Sequence, residues 1–247
     1  MTYCLGIVLD TGLLLASDSR SNAGVDQIYL VKKLDIFDDA ADRMIAVLSA
    51  GNLATTQSVL ALLRAGIGGD IGERDLHRAP SMFAVSQIVG DTLRDVIARD
   101  GEHVVAHGGD PSASFLVAGQ IRGDRHRLFQ IYSAGNFVEA SERTPFVQIG
   151  ETKYGKPILD RALSSSTPLE QAALLALISF DATIRSNLSV EAPIDMLHYE
   201  ADSFSAANLM RFERDHPYWR DLRARYSDGL MKLVAGLPVP PQQSEAS

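Results

Sequence analysis

Cysteine is almost absent from this chain, and its scarcity excludes several kinds of site. Cys4 is the single cysteine among 247 residues. An internal disulfide is therefore impossible, and so is a zinc site built from several cysteines. A lone cysteine between apolar neighbours is typical of a small buried residue, which is the role that we expect for Cys4. The sequence predicts neither a metal site nor an organic cofactor.

Two histidines have a spacing that can be mistaken for a metal pair. His103 and His107 lie four residues apart, as ligands on one face of a helix would. They fall, however, in a glycine-containing stretch from Gly101 to Pro111 that predicts a loop. We therefore interpret both as surface histidines.

The chain also lacks long apolar runs and clusters of basic residues. No run of 18 or more apolar residues occurs, and the first twenty residues lack the basic start and cleavage site of a secretion signal. The formal net charge is −8, with no basic run that would neutralise phosphates. We expect a cytoplasmic protein that binds neither membranes nor nucleic acids.

Composition places the chain among globular proteins. Hydrophobic residues make up 46% of it, and its mean hydropathy is close to zero, at +0.01. A chain of this length can bury a substantial core. We predict one domain over residues 1–236. The last residues, 237–247, contain three prolines and a polar end, and predict a disordered tail.

The first eighteen residues predict a buried β-hairpin. Two apolar runs flank the turn sequence Asp10-Thr11-Gly12. By the two-residue period of a strand, Leu5, Ile7 and Leu9 share one face, and Cys4 and Val8 share the other.

The second residue of this hairpin has a chemical meaning if Met1 is removed. Methionine before a small residue is commonly trimmed, which would leave Thr2 with a free α-amino group. One residue would then carry both a hydroxyl nucleophile and a base, because an α-amine has an ordinary pKa of about 7.7–8.0 and can accept the hydroxyl proton. The alternative interpretation is that Thr2 only starts a strand.

Several motifs resemble proteasome β-type subunits, which belong to the N-terminal-nucleophile hydrolases. They are Thr2 with the following Tyr-Cys-Leu-Gly, the stretch Ala-Ser-Asp-Ser-Arg-Ser-Asn-Ala-Gly-Val-Asp from residue 16, the pair Lys32-Lys33, and Ser-Ala-Gly-Asn-Leu-Ala-Thr-Thr-Gln from residue 49. Within this family the chain is most similar to the bacterial homologue Anbu, the ancestral β subunit. The resemblance is close over residues 2–56 and looser over 113–200. It implies an α+β fold, a four-layer αββα sandwich.

The resemblance also implies roles for a lysine and an aspartate. Lys32 and Lys33 point to opposite faces of an extended segment, so at most one faces the interior with Thr2. The family pattern selects Lys33. An inward ammonium would lower the pKa of the Thr2 hydroxyl, and Asp18 would keep that ammonium charged and oriented. The alternatives are a solvated edge-strand lysine and a turn-capping aspartate.

The oxyanion hole departs from the family pattern. The family has a glycine amide directly after an Ile-Ala pair, and this chain has Val47 there. A backbone amide survives any side chain except proline, so stabilisation of a tetrahedral intermediate is still expected. Val47 and Ser49 are the candidate donors.

Two supporting positions depart as well. Glu151 stands where the family has a serine that supports the active threonine, and either replaces its hydrogen bond or sits in the first turn of a following helix. Ser189 matches a supporting serine of a later loop, whereas Ser186 stands in place of an aspartate.

Periodicity predicts further elements along the chain. The expected strands are 28–37, 43–50, 113–121, 127–133, 146–149 and 194–199, and the expected helices are 53–65, 81–100, 167–184 and 215–235.

The leading functional hypothesis is a threonine-type peptide hydrolase in a homo-oligomeric ring or open spiral. Activation would need only the removal of Met1, and an ATPase or ligase is a possible partner. One alternative is a scaffold or binding ring with little catalysis, because three supporting positions depart from the pattern. Another is an amidase, or a hydrolase coupled to a peptide ligase, that acts on a small substrate.

Overall fold

The computed structural model describes residues 2–22, 28–67 and 74–240. The predictions for Met1, for loop residues 68–73 and for tail residues 241–247 lie outside these ranges. The strands are β1 Tyr3–Leu9, β2 Gly12–Asp18, β3 Arg20–Asn22, β4 Ile28–Leu30, β5 Leu34–Phe37, β6 Arg43–Gly51, β7 Ala113–Ile121, β8 Arg127–Ile131, β9 Phe137–Glu139, β10 Phe146–Gly150, β11 Ile194–Glu200 and β12 Leu209–Phe212. The helices are α1 Leu53–Gly66, α2 Met82–Ala106, α3 Lys156–Ala162, α4 Leu169–Ser186 and α5 Pro217–Ala235.

Two five-stranded antiparallel sheets form the centre of the molecule. The first has the strand order β10-β1-β2-β11-β12, and the second has the order β5-β6-β7-β8-β9. A short ribbon of β3 and β4 lies outside both sheets. The amino-terminal strand β1 is therefore an inner strand, held by β10 on one side and β2 on the other.

Three apolar cores divide the fold into four layers. One core joins the first sheet to α4 and the start of α5, a second joins the other sheet to α1 and α2, and a third lies between the two sheets. This is the four-layer αββα arrangement, which confirms the predicted fold class. One domain over residues 1–236 stays a prediction. Residues 237–240 are exposed and have no regular structure.

The predicted hairpin is present with the predicted faces. Leu9 pairs with Gly12 across the turn, and Cys4 pairs with Ser17 near the open end. Leu5 and Ile7 belong to the core under the helices, whereas Cys4 belongs to the core between the sheets. The period of two residues thus places each apolar side chain in one of two separate cores.

The single strand predicted over residues 28–37 is wrong, because the chain changes partner in its middle. The Val31 amide donates to the Ser19 carbonyl beside the ribbon, at 2.8 Å. Two residues later, the Lys33 carbonyl accepts from the Ser49 amide in the second sheet, at 3.0 Å. Residues 31–33 cross between these two structures, so Lys33 lies at a crossing and not inside a regular strand.

Helix α2 is longer than predicted. Gly101 does not end it. This glycine is buried within the helix, and an added Cβ would lie 3.3 Å from the Ile97 side chain. The helix ends instead before Gly108, which has φ of +76° and donates its amide to the Val105 carbonyl. His103 therefore lies on the helix and His107 at its carboxyl cap, both exposed as predicted but not in a loop.

Helix α4 is sandwiched between the first sheet and its neighbours, as its apolar sequence predicts. It packs on β1 and β2 and contacts α3 and α5. Thr167 does not cap this helix, because its hydroxyl accepts from the Ser164 amide, at 2.9 Å, and the helix has no side-chain cap.

We expect Phe180→Ala to destabilise the protein strongly. Phe180 is fully buried in α4, with its ring 4.5 Å from the ring of Tyr3. Truncating a buried phenylalanine costs about 3–5 kcal/mol through lost burial and a cavity. Leu174→Ala on the same helix is the control, because Leu174 is exposed, and we expect a loss of about 1 kcal/mol or less. Denaturant unfolding measures both, and equal losses would contradict this account of the core.

Candidate active site

Thr2 lies directly before β1 and is held by the backbone of the neighbouring strand. Its carbonyl accepts a hydrogen bond from the Glu151 amide, at 2.7 Å. This bond continues the ladder in which Tyr3 pairs with Gly150. Thr2 is half-buried. The position of the second residue is therefore set by the first sheet and not by a free chain end.

A buried ion pair contacts the backbone of the residue that follows Thr2. The Lys33 Nζ is 2.7 Å from Asp18 Oδ1, and the two side chains are 5% and 0% exposed. The Tyr3 amide donates to the same Asp18 oxygen, at 2.9 Å. The carboxylate therefore binds both the ammonium and the backbone beside Thr2.

The other polar atoms of this pair also have partners. The Arg20 amide donates to Asp18 Oδ2, at 3.2 Å, and the Lys33 ammonium donates to the Arg20 carbonyl. A buried charge is tolerated when it is paired and hydrogen-bonded in this way. Asp18 at the end of β2 and Lys33 at the crossing before β5 thus form a rigid unit.

Burial dominates the electrostatics around this unit. Burial raises the pKa of the Asp18 carboxyl, and the Lys33 ammonium and the Tyr3 and Arg20 amides oppose that rise. Burial also raises the pKa of the Cys4 thiol, so this cysteine stays a neutral thiol, as expected for a small buried residue. Burial raises the pKa of the Tyr3 phenol to about 12.

The structure distinguishes the two adjacent lysines. Lys32 is exposed, whereas Lys33 is buried and bound to Asp18. The sequence pattern required that at most one of them faces inward, and the family resemblance selected Lys33. Lys33 is therefore not a solvated edge-strand lysine, whereas Asp18 accepts from the Arg20 amide, as a turn-capping aspartate does, and also binds Lys33.

The two expected oxyanion donors lie inside the second sheet. The Ser49 amide donates to the Lys33 carbonyl, at 3.0 Å, and Val47 pairs with Asp35 in the same ladder. Both residues are buried. In this structure the Ser49 amide is thus already bonded to the protein itself.

Gly51 is a further candidate donor that the sequence reasoning missed. It ends β6 in an exposed position, with φ of +114°. From the alternation of a strand we expect its amide to face the same edge as the Ser49 amide, two residues beyond the bond to Lys33. An added Cβ would lie 2.5 Å from the Ser112 carbonyl oxygen, so the position requires glycine. The available signal was the strand-ending sequence Ala50-Gly51-Asn52.

A second polar network lies on the other side of Thr2. The Glu151 carboxylate, 7% exposed, accepts from the Asn187 side-chain amide at 2.9 Å and from the Lys153 backbone amide at 3.1 Å. Asn187 in turn accepts from the Ser189 amide, at 2.9 Å. Glu151 precedes α3 by several residues, so it does not lie in the first turn of a helix.

Ser189 and Ser186, the two serines singled out from the sequence, lie in different surroundings. Ser189 lies in the turn after α4, linked to Glu151 through Asn187. Ser186 is the last residue of α4 and is exposed. Asn187 was missed, because an asparagine at the end of a helix usually indicates only a cap.

The arrangement is suited to proton transfer. Among the described residues, no group of three or more histidine, cysteine, aspartate or glutamate side chains is placed to hold a metal ion. Within the same ranges, no helix is both long and apolar enough to cross a bilayer. A desolvated cation beside a hydroxyl favours the deprotonated form of that hydroxyl.

Solved structures similar to this chain carry the name Anbu. Anbu, the ancestral β-subunit, from Yersinia bercovieri is 47% identical, with a TM-score of 0.91, over 97% of this chain and 100% of that one. The chain in the helical assembly of the Anbu complex from Pseudomonas aeruginosa is 47% identical, with a TM-score of 0.92, over 97% of this chain and 98% of that one. A Gly-1 mutant of Anbu from Hyphomicrobium sp. strain MC1 is 43% identical, with a TM-score of 0.91, over 98% and 100%. No protein-family model and no curated protein matches the chain.

Proposed function

The chain belongs to the Anbu family of proteasome-like β-subunits, and we propose that it is a threonine-type peptide hydrolase. Its nucleophile is the Thr2 hydroxyl once Met1 has been removed. The observation that carries the proposal is the buried Asp18–Lys33 pair. Its carboxylate accepts a hydrogen bond from the amide of Tyr3, the residue that follows Thr2. A structural role alone gives no reason to bury a lysine at a chain crossing next to the second residue of the protein.

The proposed reaction proceeds through an ester. The α-amine of Thr2 accepts the hydroxyl proton, directly or through water, while the oxygen attacks the carbonyl carbon of the substrate. The Lys33 ammonium lowers the pKa of that hydroxyl, and Asp18 fixes the ammonium. The amine then gives the proton to the departing nitrogen of the substrate. Water, activated by the same amine, hydrolyses the ester and regenerates Thr2.

We propose the Gly51 amide as an oxyanion donor in addition to the predicted Val47 and Ser49. Gly51 is exposed at the end of β6, on the edge beyond Lys33, whereas the Ser49 amide is used within the sheet. An amide fixed in this way needs no reorganisation when negative charge develops on the substrate oxygen. Ser189 contributes from the opposite side, through the network of Asn187 and Glu151.

Product analysis separates the enzymatic alternatives. Purified protein is incubated with a panel of fluorogenic peptide amides, with unfolded casein and with small non-peptide amides, and the products are identified by mass spectrometry. Cleavage of peptides at defined positions supports the peptidase, whereas turnover of small amides alone supports the amidase. Absence of any turnover together with retained Met1 would contradict both and support the scaffold.

The scaffold alternative has specific observations in its favour. Glu151 and Ser186 depart from the family pattern at positions that support the threonine, and Ser186 is exposed. The Asp18–Lys33 pair weighs against this alternative, because a buried ion pair is weak evidence for stability and is better explained by chemistry. We place the activity in the cytoplasm, as the sequence predicts, with an ATPase or ligase as a proposed partner.

We also propose that the chain assembles with copies of itself, as the helical assembly of the similar Pseudomonas aeruginosa protein suggests. The end of α5 and the residues after it carry large apolar side chains on the surface. These are Leu230, Met231, Leu233, Val234, Leu237 and Val239. A second copy of the chain is the occupant that we propose.

Leu233→Glu is therefore expected to reduce the assembly without unfolding the subunit. Leu233 is 62% exposed, so the subunit loses little stability, whereas a charge at an apolar contact between copies is costly. Sedimentation velocity at one concentration measures the effect. Val105→Glu at the exposed end of α2 is the matched control. Unchanged sedimentation of Leu233→Glu, or an equal change in both variants, would contradict the proposed contact.

A further inference from the structure

The described residues provide no cation for the buried carboxyl group of Glu151. Its carboxylate is bound by two neutral donors, the Asn187 side-chain amide and the Lys153 backbone amide. No ion pair to Glu151 occurs among residues 2–22, 28–67 and 74–240. Buried carboxylates are nearly always paired with a cation or a metal. An ionised carboxylate offers about four acceptor sites, so capacity for a further donor remains.

The position of Glu151 relative to Thr2 is fixed by the backbone. The Glu151 amide donates to the Thr2 carbonyl, at 2.7 Å, one rung beyond the pair of Tyr3 and Gly150. Directly opposed residues in such a ladder have Cα atoms about 5.5 Å apart. Gly150 has φ of +82°, and an added Cβ would lie 2.0 Å from the Thr2 carbonyl oxygen, so only glycine permits this approach.

Removal of Met1 would create a new cation at this place. The freed α-amino group of Thr2 is positively charged below its pKa, and it would form on the residue directly opposite Glu151 in the ladder. We infer that Glu151 is a positioning residue that binds the α-ammonium of Thr2 and raises the pKa of that amine. This inference rests on the proposed function, and it assigns a role to a residue that departs from the family pattern.

The other charged groups around Thr2 do not supply this effect. Asp18 from β2 and Lys33 from the crossing before β5 form a pair of opposite charges. Asp195 from β11 is bound by Arg211, at 2.7 Å, and by the Ser19 hydroxyl. The turn after α4 contributes the neutral residues Asn187 and Ser189. Among the described residues named here, Glu151 is therefore the buried carboxyl group without a cation.

The inference determines the sign of a pH effect. A neighbouring carboxylate favours the charged ammonium, so the amine becomes a free base only at higher pH. Replacing the carboxylate by a neutral amide lowers the pKa of the amine. We expect Glu151→Gln to move the acidic limb of the pH profile of kcat/KM by about one pH unit toward lower pH, because an opposite charge at this range shifts a pKa by about 1–3 units. Glu142→Gln in the exposed turn before β10 makes the same charge change away from Thr2 and is the control.

A second readout does not depend on turnover. The pKa of the Thr2 amine is obtained from the pH dependence of its trace acylation by acetic anhydride, quantified on the amino-terminal peptide by mass spectrometry. We expect the amine of wild type and of Glu142→Gln to titrate about one unit above that of Glu151→Gln. If Glu151→Gln does not fold, Glu151→Asp retains the charge on a shorter stem and is expected to lower the pKa of the amine by a smaller amount.

The outcomes separate this inference from the proposed function. Active wild-type enzyme with the same pH limb and the same amine pKa in Glu151→Gln would overturn the inference alone. Inactive wild type with a shifted amine pKa would support the inference and contradict the hydrolase. Retained Met1 would overturn both, because no α-amine would then exist at Thr2.

Discussion

Thr2→Ala is expected to reduce amide hydrolysis to the level of the buffer blank. The variant keeps a small second residue, so Met1 is still expected to be removed and the α-amine to form. It lacks only the hydroxyl that would attack the substrate. Loss of a nucleophile removes the whole covalent pathway, and a decrease of about 10⁴-fold or more in kcat is expected. Initial rates on the best peptide amide measure the decrease.

Thr2→Ser is the matched control for this experiment. It retains the hydroxyl and the amine, and we expect measurable hydrolysis with the same cleavage positions as wild type. Both variants should unfold at the same denaturant concentration as wild type, because Thr2 is half-buried and lies before the first strand. Hydrolysis by Thr2→Ala at the wild-type rate would show that another group performs the chemistry.

Lys33→Met is expected to remove both activity and stability. Methionine fills nearly the same space, but it leaves Asp18 buried at 0% exposure without the ammonium at 2.7 Å. Breaking a buried pair from one side costs about 3–5 kcal/mol. Loss of the charge beside the Thr2 hydroxyl is expected to reduce kcat by about 10²–10⁴-fold. Denaturant unfolding and kcat are measured on the same preparation.

The double variant Asp18→Asn with Lys33→Met distinguishes the two effects. It leaves no unpaired charge, so part of the lost stability is expected to return, whereas the activity stays low. A wild-type unfolding free energy for Lys33→Met would contradict the buried pair. Recovery of activity in the double variant would contradict the role of Lys33 in catalysis.

The strongest sequence signals were those that combine a local period with a turn. The hairpin of β1 and β2 was predicted with its turn and both faces, because alternation in this segment separates two cores cleanly. The inward position of Lys33 followed from the opposite faces of adjacent residues and from the family motif. The four layers came from the resemblance, since periodicity alone cannot tell which sheet packs on which.

The errors arose where long-range packing overrides local pattern. The apolar residues within 28–37 predict one strand. The hydrogen-bond partners of Val31 and Lys33, however, are distant in sequence and lie in different structures. Gly101 has the appearance of a helix end, yet it is buried within α2, next to the side chain of Ile97. The pairing of Ser49 with Lys33 was not visible, so the use of its amide could not be foreseen.

The hydrogen-bond network around Glu151 could not be predicted from the sequence, for a similar reason. The alternatives for Glu151 were a hydrogen-bonding replacement for a serine and a residue in a helix start. Asn187 and Glu151 are separated by 36 residues, and their contact depends on how α4 ends beside the first sheet. Only the register of β1 and β10 places Glu151 opposite Thr2.

Intact mass spectrometry before and after treatment with a peptide epoxyketone tests the central claim most directly. This electrophile forms a stable ring only with a hydroxyl and an amine on the same residue. The account predicts a wild-type mass lower by one methionine residue, and a single added inhibitor that maps to Thr2 and is absent from Thr2→Ala. A protein that has lost Met1 but takes up no inhibitor, or takes it up equally in Thr2→Ala, would contradict it.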